Sequence, residues 1–454
     1  MRLARRCGYN AQAHSFTSQM FAKRTNWNLT PNRLSQALEL HRAAGKPLLD
    51  LTTSNPTECG FSYDEQAILD ALRNAESLKY APVARGLKSA RLAVSEYYAG
   101  HRATLDADDI FLTTSTSEAY SYLFRLLCDP GDEVLVPSPS YPLFDFLADI
   151  QDVKLVRYPL FYDHGWHIDF HSLEQALTPR SRAMIVVHPN NPTGHFTKPS
   201  EISKINALCG KHRLAIIADE VFLDFSLQPS PPQTFASNRD ALTFTLSGLS
   251  KISGLPQMKV GWIATAGPLQ QKREALARLE LIADTYLSLN GPVQHALPVL
   301  LAQRHSFQQQ LLTRVRQNLA ELDRQLAQQA AHSSRGSAEL GPELASETTH
   351  SSEHSTEIIR RAGSPLADSF HHPAEPDRPY TELRNCSRLL IEAGWYAILR
   401  VSTTRSDEDL AIDLLTRQDV YVHPGHFFDF SSSPHLVLSL IGHSADIGRV
   451  LRVR

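Results

Sequence analysis

At 454 residues, with 42% apolar and 20% charged content, the chain is long enough for two or three domains, and no apolar run reaches the length of a membrane span. A formal net charge of -3 argues against nucleic acid or an anionic membrane as the main partner. The five cysteines, Cys7, Cys59, Cys128, Cys209 and Cys386, contain no CxxC pair and predict free thiols of a reducing, cytoplasmic compartment rather than a zinc site or a disulfide frame.

Before Glu39, the first acidic residue, the chain carries Arg2, Arg5, Arg6, Lys23, Arg24 and Arg33. Such an acid-poor start fits an organellar targeting segment; the simpler expectation is a disordered extension over residues 1–24, with Met20 as an alternative initiator. From about Asp108 to Ala266, short apolar runs alternate with helix-length amphipathic segments. The runs are Ile110-Phe111-Leu112, Glu133-Val134-Leu135-Val136, Lys154-Leu155-Val156, Ala183-Met184-Ile185-Val186-Val187, Leu214-Ala215-Ile216-Ile217-Ala218, Leu242-Thr243-Phe244-Thr245-Leu246 and Val260-Gly261-Trp262-Ile263. Near-continuous apolar strands separated by helices predict a mainly parallel sheet covered on both faces. Asp129-Pro130-Gly131-Asp132 marks a turn between a helix and the next strand.

Beyond Pro292 the pattern becomes helical: Phe307, Leu311, Val315, Leu319, Leu322 and Leu326 recur at three- and four-residue spacing and form one apolar face. From about Gln329 to Cys386 the composition turns to Ser, His, Glu, Thr, Ala and Pro. A segment so poor in aliphatic periodicity cannot bury enough apolar surface to offset its ordering entropy, so 329–386 is expected to be a disordered insertion. His350, His354, His371 and His372 inside it are read as solvent-exposed histidines rather than metal ligands. Ordered sequence resumes at Ser387-Arg388-Leu389-Leu390-Ile391 as a small α/β unit.

Ligands of an open parallel sheet bind beyond the carboxyl ends of its strands, so the residues that follow each strand carry the functional signal. After the first run comes Ser115-Thr116-Ser117-Glu118-Ala119, which reads equally as a phosphate seat at a helix N-terminus or as an N-cap with a capping glutamate. After Val187 comes His188-Pro189-Asn190-Asn191-Pro192-Thr193-Gly194, where a double asparagine in a rigid turn suggests a fixed amide donor. Asp219 closes a five-residue apolar strand, a costly place for a carboxylate unless it meets a cation. Lys251, in Ser247-Gly248-Leu249-Ser250-Lys251, follows another apolar strand among small and hydroxylated residues, a setting that lets a lysine lose its proton by desolvation and attack a carbonyl. Tyr141, in Pro139-Ser140-Tyr141-Pro142, can lie flat on a ring. Phosphate seat, amide donor, buried carboxylate, aromatic plate and nucleophilic lysine together match pyridoxal 5'-phosphate, with the aspartate keeping the pyridine nitrogen protonated.

The chain resembles the class I/II aminotransferases, of the fold type I pyridoxal-phosphate enzymes, from about Asn26 to the C-terminus apart from the insertion. The most specific pieces are Asn191-Pro192-Thr193-Gly194, Ala218-Asp219-Glu220-Val221 and Ser250-Lys251. The resemblance implies an aspartate-aminotransferase-like α/β fold: a large domain with a mainly parallel seven-stranded sheet flanked by helices, plus a smaller α/β domain from both chain ends. It places an N-terminal arm and part of the small domain at 25–75, the large domain at 76–292 and the rest of the small domain at 293–454. It implies that Lys251 is the Schiff-base lysine and proton shuttle, that Asp219 pairs with the pyridine nitrogen and Asn191 with the phenolic oxygen, and that Tyr141 stacks on the ring. Ser115, Thr116, Ser117, Ser250 and Lys259 hold the phosphate in this scheme. Tyr80 matches a tyrosine lent to the phosphate by the second subunit of a homodimer, and Asn55 and Arg400 are assigned to the substrate.

Three positions depart from the family pattern. Phe222 stands where a tyrosine usually donates to the phenolic oxygen, so Asn191 alone must support that oxygen. Lys259 replaces an arginine forked on the phosphate with a point charge. Val437 occupies the place of the arginine that grips the substrate carboxylate, which leaves Arg400, closing a strand, and Arg405 as replacements. The function expected is amino transfer between an α-amino acid and a 2-oxo acid. Another reaction on the same cofactor, such as C–S β-lysis or decarboxylation, and a non-catalytic cofactor-binding protein are the alternatives.

Overall fold

The structure, a computed structural model of the chain, describes residues 20–338 except 231–232 and 288, residues 386–443 except 431–432, and Ile447. In chain order its strands are β1 (Leu49–Asp50), β2 (Ile110–Thr113), β3 (Glu133–Ser138), β4 (Lys154–Tyr162), β5 (Trp166–Ile168), β6 (Ser181–Val187), β7 (Ala215–Asp219), β8 (Thr243–Gly248), β9 (Gly261–Ala266), β10 (Cys386–Arg388), β11 (Tyr396–Val401), β12 (Val420–Tyr421), β13 (His423–Pro424) and β14 (His435–Ser439). The large sheet runs β2-β9-β8-β7-β6-β3-β4-β5. β8, β7, β6, β3 and β4 are mutually parallel, while β9 lies antiparallel between β2 and β8. This is the mixed, mainly parallel sheet of an aspartate-aminotransferase-like α/β fold.

The apolar runs become strands because their alternate residues serve two cores. Ala183, Ile185 and Val187 of β6 face one cluster, with Val134, Val136 and Ile217. Met184 and Val186 face the other, with Leu135, Ile216 and Ala218. A strand buried on both faces needs apolar residues at every position, which is why the sequence runs are unbroken. The sheet has one strand beyond the seven expected. β4 extends well past Val156, and after a turn at Asp163-His164-Gly165 it pairs antiparallel with β5. Near this edge β4 alternates exposed and buried residues, so its apolar signal is diluted.

The smaller unit draws on both ends of the chain. β1 pairs parallel with β12, and the helix Arg33–Ala43 packs on the helix Asp407–Gln418, where Arg33 meets Glu408 and Asp409. An antiparallel sheet of order β10-β11-β14-β13 completes it. The helix Arg304–Ala338 buries Phe307, Leu311, Val315 and Leu322, the face read from their spacing, and half-buries Leu319 and Leu326. It continues beyond Gln329 to Ala338; the remainder of the expected insertion, with its four histidines, lies outside the described residues, as does most of the expected N-terminal extension. Among the described residues no helix is long and apolar enough to cross a membrane, and no group of three or more His, Cys, Asp or Glu side chains could hold a metal ion.

Candidate active site

Sheet register brings the sequence motifs to one edge. Val187 is level with Asp219, and Asp219 with Leu246, so the carboxyl ends of β6, β7 and β8 form a row. His188 N–H donates to the Asp219 carbonyl at 2.8 Å and Glu220 N–H to the Leu246 carbonyl at 2.8 Å, which locks that row. A second row runs Thr113, Gly261, Gly248 across β2, β9 and β8. The helices Thr116–Leu127 and Leu249–Ile252 begin from this second row, so Ser115, Thr116, Ser117 and Ser250 flank one small area.

The two glycines make that area compact. A Cβ on Gly261 would lie 2.8 Å from the Ser115 carbonyl carbon and 2.9 Å from the Thr116 nitrogen. One on Gly248 would lie 2.9 Å from Gly261 Cα. Ser115 caps the helix by accepting from Glu118 N–H at 3.1 Å, and Glu118 in turn accepts from Thr114 N–H at 2.7 Å. Capping uses the Ser115 and Glu118 side chains and leaves the hydroxyls of Thr116 and Ser117 at the positive end of the helix. Lys259 is exposed and holds a left-handed backbone (φ 53°) two residues before Gly261, a conformation uncommon outside glycine.

Asp219 is buried and tied through both oxygens. Oδ1 accepts from Val221 N–H at 3.2 Å and Oδ2 accepts from the Tyr120 hydroxyl at 3.0 Å. Burial pushes its carboxyl up to about 6, against the opposing pull of those two donors and of Lys251. Lys251 is shifted the other way: desolvation brings its ammonium down to about 8, and the charge of Asp219 only partly offsets this. The Lys251 Nζ lies 4.8 Å from the centre of the Trp395 ring and 5.8 Å from that of Phe222. The two rings meet edge to face at 4.7 Å.

The double asparagine divides its work. Asn190 is structural, its Oδ1 accepting from the Thr193 hydroxyl at 2.9 Å and from Thr193 N–H at 3.3 Å. Asn191 Oδ1 is buried with no hydrogen-bond partner, so this amide is not consumed by the fold. Tyr141 is close enough to Asp219 and Tyr396 for their charges to add to the burial that raises its phenol. Phe144 touches both Tyr141 and Tyr120 edge to face, at 6.1 and 5.3 Å.

Asn55 caps a short helical turn, its Oδ1 accepting from Thr57 N–H at 3.2 Å and the Thr57 hydroxyl at 2.8 Å. Tyr80 is 80% exposed. Arg400 is exposed, in register with Ser387 and His435, and four residues along β11 from Tyr396, on the order of 13 Å at strand rise. Arg405 pairs with Asp413 at 2.7 Å. Val437 is fully buried, opposite Ile398 and His423.

Tyr120 and Trp395 were missed from the sequence. Trp395 reaches Lys251 because its segment is clasped by two loops: Glu392 N–H donates to the Gly194 carbonyl, Glu392 pairs with Lys198, and Gly394 N–H donates to the Phe225 carbonyl. An aromatic residue next to a glycine at a strand start was the only local signal.

The chain matches the family model described as aminotransferase class I and II over residues 47–344, and it belongs to that family. It is 30% identical over 259 residues to the glutamate-pyruvate aminotransferase AlaA of Escherichia coli (strain K12), covering 57% of this chain and 64% of that protein. It is 31% identical over 273 residues to the alanine aminotransferase of Mycobacterium tuberculosis (strain H37Rv), covering 60% and 64%. The matched region thus spans less than two thirds of these curated relatives. In fold it is similar to a Thermus thermophilus aspartate aminotransferase mutant, with TM-score 0.71, 20% identity and coverage of 95% and 97%.

Proposed function

We propose that the chain is a pyridoxal-phosphate-dependent aminotransferase that moves an amino group between an α-amino acid and a 2-oxo acid. The observation that carries this is that Lys251, half-buried in the short helix after β8, and Asp219, buried at the end of the adjacent β7, influence each other's charge while desolvation shifts each toward neutrality. The family is pyridoxal-phosphate-dependent, and the residues fit that group. Gly248 and Gly261 let the ends of β8 and β9 close against each other and against the backbone of Ser115 and Thr116, and Asn191 keeps a buried amide oxygen without a partner in the fold. When bound, pyridoxal phosphate supplies a ring that withdraws electrons from the carbon beside the amino group.

The chain's own groups have distinct tasks in this reading. Ser115, Thr116, Ser117 and Ser250 bind the phosphate, with Lys259 adding charge. Asp219 would keep a proton on the pyridine nitrogen, Asn191 would donate to the phenolic oxygen, and Tyr141 would pack on the ring. Desolvation brings the Lys251 ammonium down to about 8, so it gives up its proton near neutral pH far more readily than an ordinary lysine. Its Nζ would hold the cofactor and would accept and return a proton. Trp395 and Phe222 cover one side of it.

One observation supports a homodimer. The segment 65–87 exposes Leu69, Leu78, Tyr80 and Val83, an apolar surface suited to a second copy. Val437 and the remote Arg400 leave the substrate carboxylate without the family's usual grip, which favours keeping β-lysis or decarboxylation as a second reading. The names of the relatives make alanine, glutamate and their 2-oxo acids the first substrates to try. Product analysis separates the readings: amino transfer needs both an amino donor and a 2-oxo acceptor, whereas a lyase releases ammonia and a 2-oxo acid from one substrate alone.

A further inference from the structure

We infer that Tyr120 is a positioning residue that fixes the Asp219 carboxylate and keeps the proton on the cofactor's ring nitrogen. The inference rests on the pyridoxal-phosphate reading of the site. Tyr120 lies in the first turns of the helix Thr116–Leu127, on the side buried in the core with Phe111 and Phe124, and is 2% exposed. A phenylalanine would fill that position without placing a hydroxyl in the core. A buried hydroxyl is unfavourable unless it is paired, and the pair this one makes is with Asp219 Oδ2 at 3.0 Å.

The geometry gives that pairing a consequence. A carboxylate offers about four acceptor positions. Val221 N–H takes one on Oδ1 and Tyr120 takes one on Oδ2, so the plane of the group is fixed and further lone pairs stay open. The helix that seats the phosphate thereby also orients the carboxylate for the ring nitrogen, and the distance between the two anchors is set by one rigid element. Phe144 buttresses the tyrosine edge to face, and the same ring touches Tyr141. A donor on the ionised carboxylate favours its charged form, which leaves the proton on the pyridine nitrogen. The other ionisable groups facing Asp219 are Lys251, Tyr141, Tyr98 and Glu220, and of these only Lys251 favours its charge.

The test is Tyr120→Phe, which keeps the ring and deletes the donor. Holoprotein is reconstituted with pyridoxal phosphate carrying 15N in the ring, and the nitrogen signal is recorded together with kcat and KM. The expected result is a 15N signal moved toward the unprotonated position and a kcat lowered about ten- to a hundredfold with KM for the amino donor little changed. A hydroxyl that only stabilises the core would lower the melting temperature and leave the 15N position where it is in the parent protein; that outcome overturns the inference. If Tyr120→Phe does not fold, 3-fluorotyrosine at position 120, a stronger donor of nearly the same shape, is expected to move the signal the opposite way, and no movement overturns the inference. Failure of the parent protein to bind the labelled cofactor removes the site reading and this role with it, whereas normal binding with an unmoved signal removes this role alone.

Discussion

Lys251 and Asp219 show which electrostatic effect dominates at the residue scale. Opposite charges close together should push the lysine up and the carboxyl down. Here burial is the larger influence on both, and it moves each toward its neutral form. For Lys251 the folded pKa of about 8 lies below the ordinary 10.5, so folding favours the neutral amine. The folded state therefore binds fewer protons than the unfolded chain between those values, and stability rises with pH across that window. Lys251→Met apoprotein is accordingly expected to melt above the parent apoprotein at pH 7, with the gap narrowing as pH rises from about 8 toward 10.5. A gap that stays constant with pH, followed by thermal denaturation, would contradict a desolvated lysine. Lys251, Asp219 and Asn191 were legible in the sequence because each follows a buried strand, where a polar residue stands out. Tyr120 was not, because its partner lies 99 positions away and a tyrosine on a helix's apolar face looks like core.

Two glycines and one helix end define the site at the element scale. Gly261→Ala places a methyl against backbone atoms of Ser115 and Thr116 at 2.8–2.9 Å, and backbone cannot rotate away as a side chain can. The expected outcome is a loss of about 1–3 kcal/mol in stability and a larger fractional loss in cofactor affinity, because the seat itself is displaced. Denaturant unfolding and cofactor titration of the apoprotein measure the two; unchanged affinity would separate the phosphate from this helix. All seven apolar runs became strands because each is packed on both faces. β5 was not read because an edge hairpin needs fewer apolar residues. The helix to Ala338 outlasts its apolar face for a different reason: Ala327, Ala330 and Ala331 favour helix without needing a core, so periodicity ends before the helix does. Arg400 is less constrained by the sequence, since its place near the end of a strand does not say which end of the sheet faces the site.

For the whole molecule, β1 pairing with β12 means that the small unit is completed only when residues 49–50 meet residues 420–421, so segments far apart in the chain are needed to build it. In the proposed dimer the exposed Tyr80 and its apolar neighbours would meet the second copy. Sedimentation is expected to give a single species of twice the 50.7 kDa chain mass, and Tyr80→Phe to weaken cofactor binding about tenfold with the dimer intact. A monomer with full cofactor affinity would contradict shared sites. The motifs of the proposed cofactor site are local in the sequence, whereas the placing of Trp395 beside Lys251 depends on contacts between segments 194–198 and 391–395 that no local pattern announces.

The central claim is that Lys251 carries pyridoxal phosphate and that the loaded protein passes an amino group in two halves. The most direct measurement is the visible absorbance of the holoprotein during addition of single amino acids, alanine and glutamate first, and then of a 2-oxo acid. The account predicts that at least one amino donor bleaches the absorbance without ammonia release, that a 2-oxo acid restores it, and that Lys251→Ala shows neither change. Bleaching and recovery that persist in Lys251→Ala, or ammonia released from one substrate with no acceptor, would contradict it.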